Sequence, residues 1–166
     1  ELDTLRRRID AMPSGARRVV KVAAVVGGSI DLTLLAQVAD NDDLDVEDGV
    51  RKLTASGVLV HGDTGDTTSV EFADELMRKV AYSTLTDAAR RPLHQAVATA
   101  REEQLFGGVA MKSNSRGFDS SAPCDVGPED ACELAYHWNR AGRVSRGDDY
   151  LAMAESYAGG ESSYGV

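Results

Sequence analysis

A chain of 166 residues with a formal net charge of −9, 42% apolar and 27% charged residues has the composition of an ordinary soluble globular protein, with room for one good core or two small ones. The acidic balance, with a pI near 4.8, argues against a phosphate-binding surface as the main task. Aromatic residues are only 5%, so Val, Leu, Ile and Ala must build the core. No apolar run reaches transmembrane length. The sequence begins Glu1-Leu-Asp, with no initiator Met and no signal-peptide pattern, and reads as a piece of a longer cytoplasmic protein. Cys124 and Cys132, eight positions apart, match no zinc or redox spacing. They read as two ordinary reduced thiols, with a disulfide as the competing reading.

Taken in order, Leu2 to Met12 place Leu2, Leu5 and Ile9 on one face of a short amphipathic helix. Pro13-Ser14 breaks it, and Ser14 can cap the next helix. That helix runs through Val26 and is apolar nearly all round beyond Arg17, Arg18 and Lys21, which places it at the centre of a core. Its β-branched residues make a strand the competing reading, and its alanines and flanking caps favour helix. Gly27-Gly28 ends it. Ile30 is a lone buried residue in a short extended link, and Asp31 caps a third helix carrying Leu34, Leu35 and Val38. After a polar turn at Asn41-Asp-Asp43, a fourth helix spans Asp45 to Ser56, with Val46, Val50 and Leu53 inward and Gly57 at its C-terminal cap.

The period then changes from helical to two. Val58-Leu-Val-His61 is a strand, Gly62 to Asp66 a turn, and Thr68 to Phe72 a return strand. A helix follows over Asp74 to Leu85, on the apolar spacing of Leu76, Met77, Val80, Ala81 and Leu85. Another runs from Asp87 or Arg91 to Gln104, with Leu93, Val97 and Ala100 inward and Pro92 best accommodated in the first turn. From Phe106 to Gly127 the composition shifts to Gly, Ser, Asn and Pro, predicting a mobile loop and a natural domain boundary. Pro128 opens a helix whose Leu134, Ala135, Trp138 and Ala141 share a face, and Gly142 stops it. A last helix around Asp148 to Ala158 carries Leu151, Ala154, Tyr157 and Ala158. The two form one hairpin of tetratricopeptide type, which cannot bury its own face, so further repeats are expected beyond Val166.

The predicted fold class is mainly α. A winged-helix unit of helices and one β-hairpin occupies residues 1–85, followed by a connecting helix over 86–105, a flexible loop over 106–127 and a helical hairpin over 128–166. The hairpin of strands is the wing, and the fourth helix stands where a recognition helix would.

The chemistry-bearing residues do not converge on catalysis. His61, His94 and His137 fall on different elements without ligand spacing, and surface or capping roles are the expected ones. Gly107 to Ser113 has the look of a phosphate loop but lacks the glycine directly before Lys112 and a preceding buried strand. The acids Asp40, Asp42, Asp43, Asp45, Glu47 and Asp48 lack calcium-loop spacing and read as a solvated turn. DNA binding fares little better. Those six acids face only Arg51 and Lys52 in the recognition-helix region, and Asp63 and Asp66 make the wing tip acidic as well. A winged helix used as a protein-packing module is the remaining reading.

Several blocks point the same way: Leu5-Arg-Arg-Arg-Ile-Asp-Ala-Met-Pro13; Arg17-Arg-Val-Val-Lys-Val-Ala-Ala-Val-Val-Gly27 with Ile30 and Leu34-Leu35; Leu53-Thr-Ala-Ser-Gly-Val-Leu-Val60; Phe72 with Leu76, Arg78 and Val80-Ala-Tyr82; Arg90-Arg-Pro-Leu-His94; and Leu134-Ala-Tyr-His-Trp-Asn-Arg-Ala-Gly142. Together, over nearly the whole chain, they resemble the region that follows the ATPase core in STAND-type AAA ATPases attached to class III adenylate or guanylate cyclases, soluble adenylate cyclase among them. The resemblance implies a regulatory, scaffolding section without catalysis of its own. An ATP- and Mg-binding ATPase domain would precede it in the parent and helical repeats would follow. It implies no cofactor in this piece, while the acidic charge and the lack of a long apolar run speak against nucleic acid and a membrane span. The alternative is a fragment of an ATP-dependent transcription regulator with a DNA-binding effector domain, or a winged-helix DNA-binding module.

In such ATPases the winged helix folds back on the nucleotide site at rest, and a histidine of this unit can touch the phosphates. The positions expected to hold a basic residue and that histidine are Ala73 and Asp74 here. An aspartate repels a phosphate, which turns the implied nucleotide contact into a packing contact. Arg78, Arg90 and Arg91 are the candidates for facing the ATPase domain, with a solvated basic face balancing Asp74, Glu75 and Asp87 as the other reading. Gly147 stands where the repeat's second helix normally carries Ala, weakening that helix start by roughly 0.5–1 kcal/mol.

Overall fold

The structure, a computed structural model, describes residues 2–39, 45–62, 68–106 and 126–160, with residues 158–160 as backbone only. Its elements are α1 (Leu2–Asp10), α2 (Ser14–Val26), β1 (Ile30–Asp31), α3 (Leu32–Ala39), α4 (Val46–Ala55), β2 (Leu59–His61), β3 (Ser69–Phe72), α5 (Glu75–Ser83), α6 (Asp87–Phe106), α7 (Pro128–Arg140) and α8 (Val144–Gly160). The chain is mainly helical with one small antiparallel sheet. It forms two compact units, residues 1–93 and 94–166. The division falls between Leu93 and His94, inside α6, rather than at residue 85 or within 106–127.

In the first unit α2 is the centre, as its all-round apolar sequence requires. Ala16, Val19, Val20, Val22, Ala23, Ala24, Val25 and Val26 are all buried, and α3, α4 and α5 pack around it. Helix wins over strand here because the side chains bury on every side, and that burial outweighs a modest β-branched penalty. Pro13, not Ser14, holds the N-cap position and offers no side-chain bond, so Ser14 is the first helical residue. Asp31 caps α3 as expected, its Oδ1 accepting the N–H groups of Thr33 and Leu34 at 2.6 and 3.0 Å. Asp45 caps α4 by accepting from the N–H of Asp48.

Ile30 is not a lone link residue. It is fully buried and pairs with Val70, giving a three-stranded sheet in the order β1-β3-β2. The hairpin register sets Leu59 against Phe72 and His61 against Val70. A two-residue strand has too short a pattern to announce itself in sequence. Its pairing completes the helix, strand, helix, helix, strand, strand connectivity of a winged helix. The expected turns at Asn41-Asp-Asp43 and Asp63 to Asp66 lie outside the described residues.

α2 and α4 cross so closely that a side chain at the crossing would collide. A Cβ on Gly49 would lie 2.5 Å from Val19 Cγ2 and 3.1 Å from Val19 Cβ. Val19 is stiff at χ1 and fully buried, so it cannot swing away.

The second unit contains the rest of α6 with α7 and α8. α6 starts at Asp87, with Thr86 Oγ1 accepting the Ala89 N–H at 3.3 Å. Pro92 therefore stands inside the helix, in its second turn, and not in the first turn. Phe106 and Val126, both within the loop expected over 106–127, instead pack with Ala131, Ala154 and Met153; residues 107–125 lie outside the described residues. α8 begins at Val144, four residues earlier than expected, and its inward face is shifted. Tyr150 is buried at 2%, whereas Leu151 and Tyr157 are exposed at 40% and 42%. Gly147 consequently sits within α8 as a close-approach point: a Cβ there would meet the Asn139 amide at 2.5 Å.

Replacing Gly49 with Ala should destabilise the first unit by about 1–2 kcal/mol, the overpacking outweighing alanine's gain in helix propensity. Combined with Val19→Ala it should cost less than the sum of the two single changes. Urea unfolding followed by circular dichroism measures both.

Candidate functional site

The recognition-helix region of the winged helix is the natural place to look for ligand contact, and its electrostatics are closed on themselves. α4 carries two cations, Arg51 and Lys52, one and two positions past Val50. Both lie within one turn of Asp48, and both donate to its carboxylate, Arg51 to Oδ1 and Lys52 to Oδ2. The Lys52 contact, helped by Arg51, holds the Asp48 carboxyl below its ordinary range. With Glu47 and the capping Asp45 beside them, the helix presents no surplus positive charge.

The residues expected to touch an ATPase domain are mostly committed within their own unit. Asp74 is the N-cap of α5, its Oδ1 accepting the Leu76 N–H at 2.8 Å. An imidazole could not fill that role as well, since a short carboxylate is among the best caps. Arg78 is half-buried. It grips Glu75 through Nη2 at 2.6 Å and Nε at 2.8 Å, and its Nη1 donates to the Ala24 carbonyl at 3.3 Å. This guanidinium holds the Glu75 carboxyl down. It also ties α5 to the end of α2. Arg90 pairs with Asp87 at 3.1 Å, donates to the Tyr82 carbonyl at 3.2 Å and lies 4.5 Å over the Tyr82 ring. Its buried Nε has no hydrogen-bond partner among the described residues. Arg91 is exposed.

Two polar constellations in the second unit escaped the sequence reading. Glu102 on α6 is 9% exposed and receives four donors. Trp138 Nε1 reaches its Oε1 at 2.8 Å, Tyr150 Oη at 2.7 Å and Arg146 Nε at 3.2 Å, while Arg146 Nη2 reaches Oε2 at 2.6 Å. The Arg146 guanidinium also stacks 4.3 Å over the Trp138 ring. One carboxylate thus joins α6, α7 and α8. Burial first, and then the Glu102 contact, pushes the Tyr150 hydroxyl up and keeps it a donor.

The second constellation is a histidine pair. His94, expected in a surface or capping role, and His137 are 0% and 1% exposed, with their Nδ1 atoms 2.9 Å apart. The Tyr136 ring stands edge-on to both, at 5.7 and 5.2 Å between centroids. The signal was present in the spacing. His94, Val97, Ala98 and Glu102 share the apolar phase of α6, and His137 lies between Leu134 and Trp138 on α7. His61 stands apart, on β2.

No group of three or more His, Cys, Asp or Glu side chains suited to a metal ion occurs among the described residues. No helix there is long and apolar enough to cross a membrane. Cys132 is free and exposed; Cys124 and the stretch Gly107 to Ser113 lie outside the described residues. Comparison with family models, with curated proteins and with solved structures finds no match for this chain.

Removing the carboxylate by Glu102→Leu should cost about 3 kcal/mol, because it takes the acceptor from Trp138 and Tyr150 and the counter-ion from Arg146. Tyr150→Phe, which removes one donor only, should cost about 1 kcal/mol. The fluorescence of Trp138 during urea unfolding reports each loss at its source.

Proposed function

We propose that this chain is a non-catalytic regulatory and scaffolding section of a multidomain cytoplasmic nucleotide cyclase with a STAND-type ATPase. It packs against the ATPase domain through its winged helix and links that domain to helical repeats. The observation that carries the packing role is the self-neutralised α4, whose Arg51 and Lys52 both rest on Asp48. A winged helix that read DNA through this helix would need those cations for phosphates. Their pairing with Asp48, beside Glu47 and Asp45, reduces the counterion-release gain on which such binding depends.

The cyclase context rests on the resemblance of the ordered blocks between Leu5 and Gly142, and the connectivity of the first unit is in keeping with it. The use of Asp74 as a helix cap supports a packing contact in place of a phosphate contact. Of Arg78, Arg90 and Arg91, Arg91 on α6 is the exposed one and so the one open to a partner.

Two measurements test this reading. The coding sequence upstream of Glu1 should contain a phosphate loop of the ATPase type, and its absence would rule the reading out. Duplex DNA at about 50 mM salt should show no binding at micromolar concentration, and binding that weakens steeply as salt is raised would favour the DNA-reader alternative.

A further inference from the structure

The His94–His137 contact requires one proton between two nitrogens. While both rings are neutral, one donates Nδ1–H and the other accepts at a bare Nδ1, so the two rings hold opposite tautomers. The charged groups around the pair offer little to a second proton. On α6, Arg101 is joined to Glu133 of α7 at 3.0 Å, and Arg91 is exposed one turn before His94. On α7, Arg140 lies 5.5 Å over the Tyr136 ring that borders both imidazoles. Towards α8, Glu102 is already saturated by Arg146 and Tyr150.

We propose that the His94–His137 pair is an acid-sensitive latch, which holds α6 to α7 while neutral and releases the helical unit when the pH falls. One added proton must be carried as a cation in a buried site beside Arg101. A second would set two cations at a separation of 2.9 Å. The unfolded chain meets neither obstacle, because its imidazoles are in water. Burial first, then His94 and Arg101, pushes His137 down from 6.5 to about 3 in the folded state. The unfolded state therefore binds more protons between those two values. Stability is full above the unfolded value and is lost as the pH drops through that window. This inference does not depend on the proposed function.

The test is a urea titration of the full chain in a His61→Gln background, followed by the fluorescence of Trp138, the only tryptophan. It covers the range from about pH 7.5 to about pH 5, above most carboxylate titration. The folded-to-unfolded ratio should be level near neutrality. It should then approach a fall of about tenfold per pH unit for each histidine left neutral by folding. His94→Asn and His137→Asn should each reduce that slope, which is read within one protein and so survives a loss of absolute stability. Should neither variant fold, nitrogen-15 spectra of the wild-type rings decide. Opposite tautomers that disappear with the folded state as acid is added support the latch. A slope untouched by both substitutions, or folded-state ring signals that titrate near 6.5, would overturn it.

Discussion

A buried polar group must find a partner or cost the fold the full price of its lost hydration, and helix α6 carries two of them on its inward stripe. His94 and Glu102 are eight residues apart, hence just over two turns, and they face the same way. Each recruits what it needs from the following helices: one imidazole from α7 for His94, and an indole, a guanidinium and a phenol from α7 and α8 for Glu102. Apolar packing of Ala98, Leu134, Ala135 and Trp138 supplies the drive to associate. It does not by itself choose between neighbouring registers. The polar pairs do, because sliding α7 by a turn would strand a carboxylate and an imidazole together.

Much of the first unit could be read from the chain. The apolar stretch Val19 to Val26, the aspartate cap at Asp31, and the switch to a period of two at Val58 are local signals. The structure follows each of them. Strand β1 was out of reach because two residues carry no period, and only pairing across 40 positions with Val70 makes Ile30 a strand residue. Pro92 departs from the first-turn position its chemistry favours for a different reason. A proline in the second turn forfeits one backbone bond, and the packing of twenty residues of α6 outweighs that loss.

The candidate site was legible in its charges and illegible in its pairings. The acidity around α4 is plain in the sequence, but the convergence of Arg51 and Lys52 on one carboxylate is a matter of rotamers. Likewise Asp74 is conspicuous as a residue, while its service to the Leu76 N–H depends on its extended backbone before α5. His94 and His137 lack ligand spacing and so carry no signal as residue types, although both occupy the apolar phase of their helices. Phase was the better guide than residue type in that instance.

Strand lengths in the small sheet carry a consequence of another kind. The outer strands β1 and β2 have two and three residues, and the longer β3 lies between them, bonded on both sides. An edge that short offers a foreign strand only one or two main-chain bonds, too few to seed edge-to-edge aggregation. A partner of the unit would then bind through side chains on its helices, where its own sequence matters, rather than through backbone pairing, where it does not.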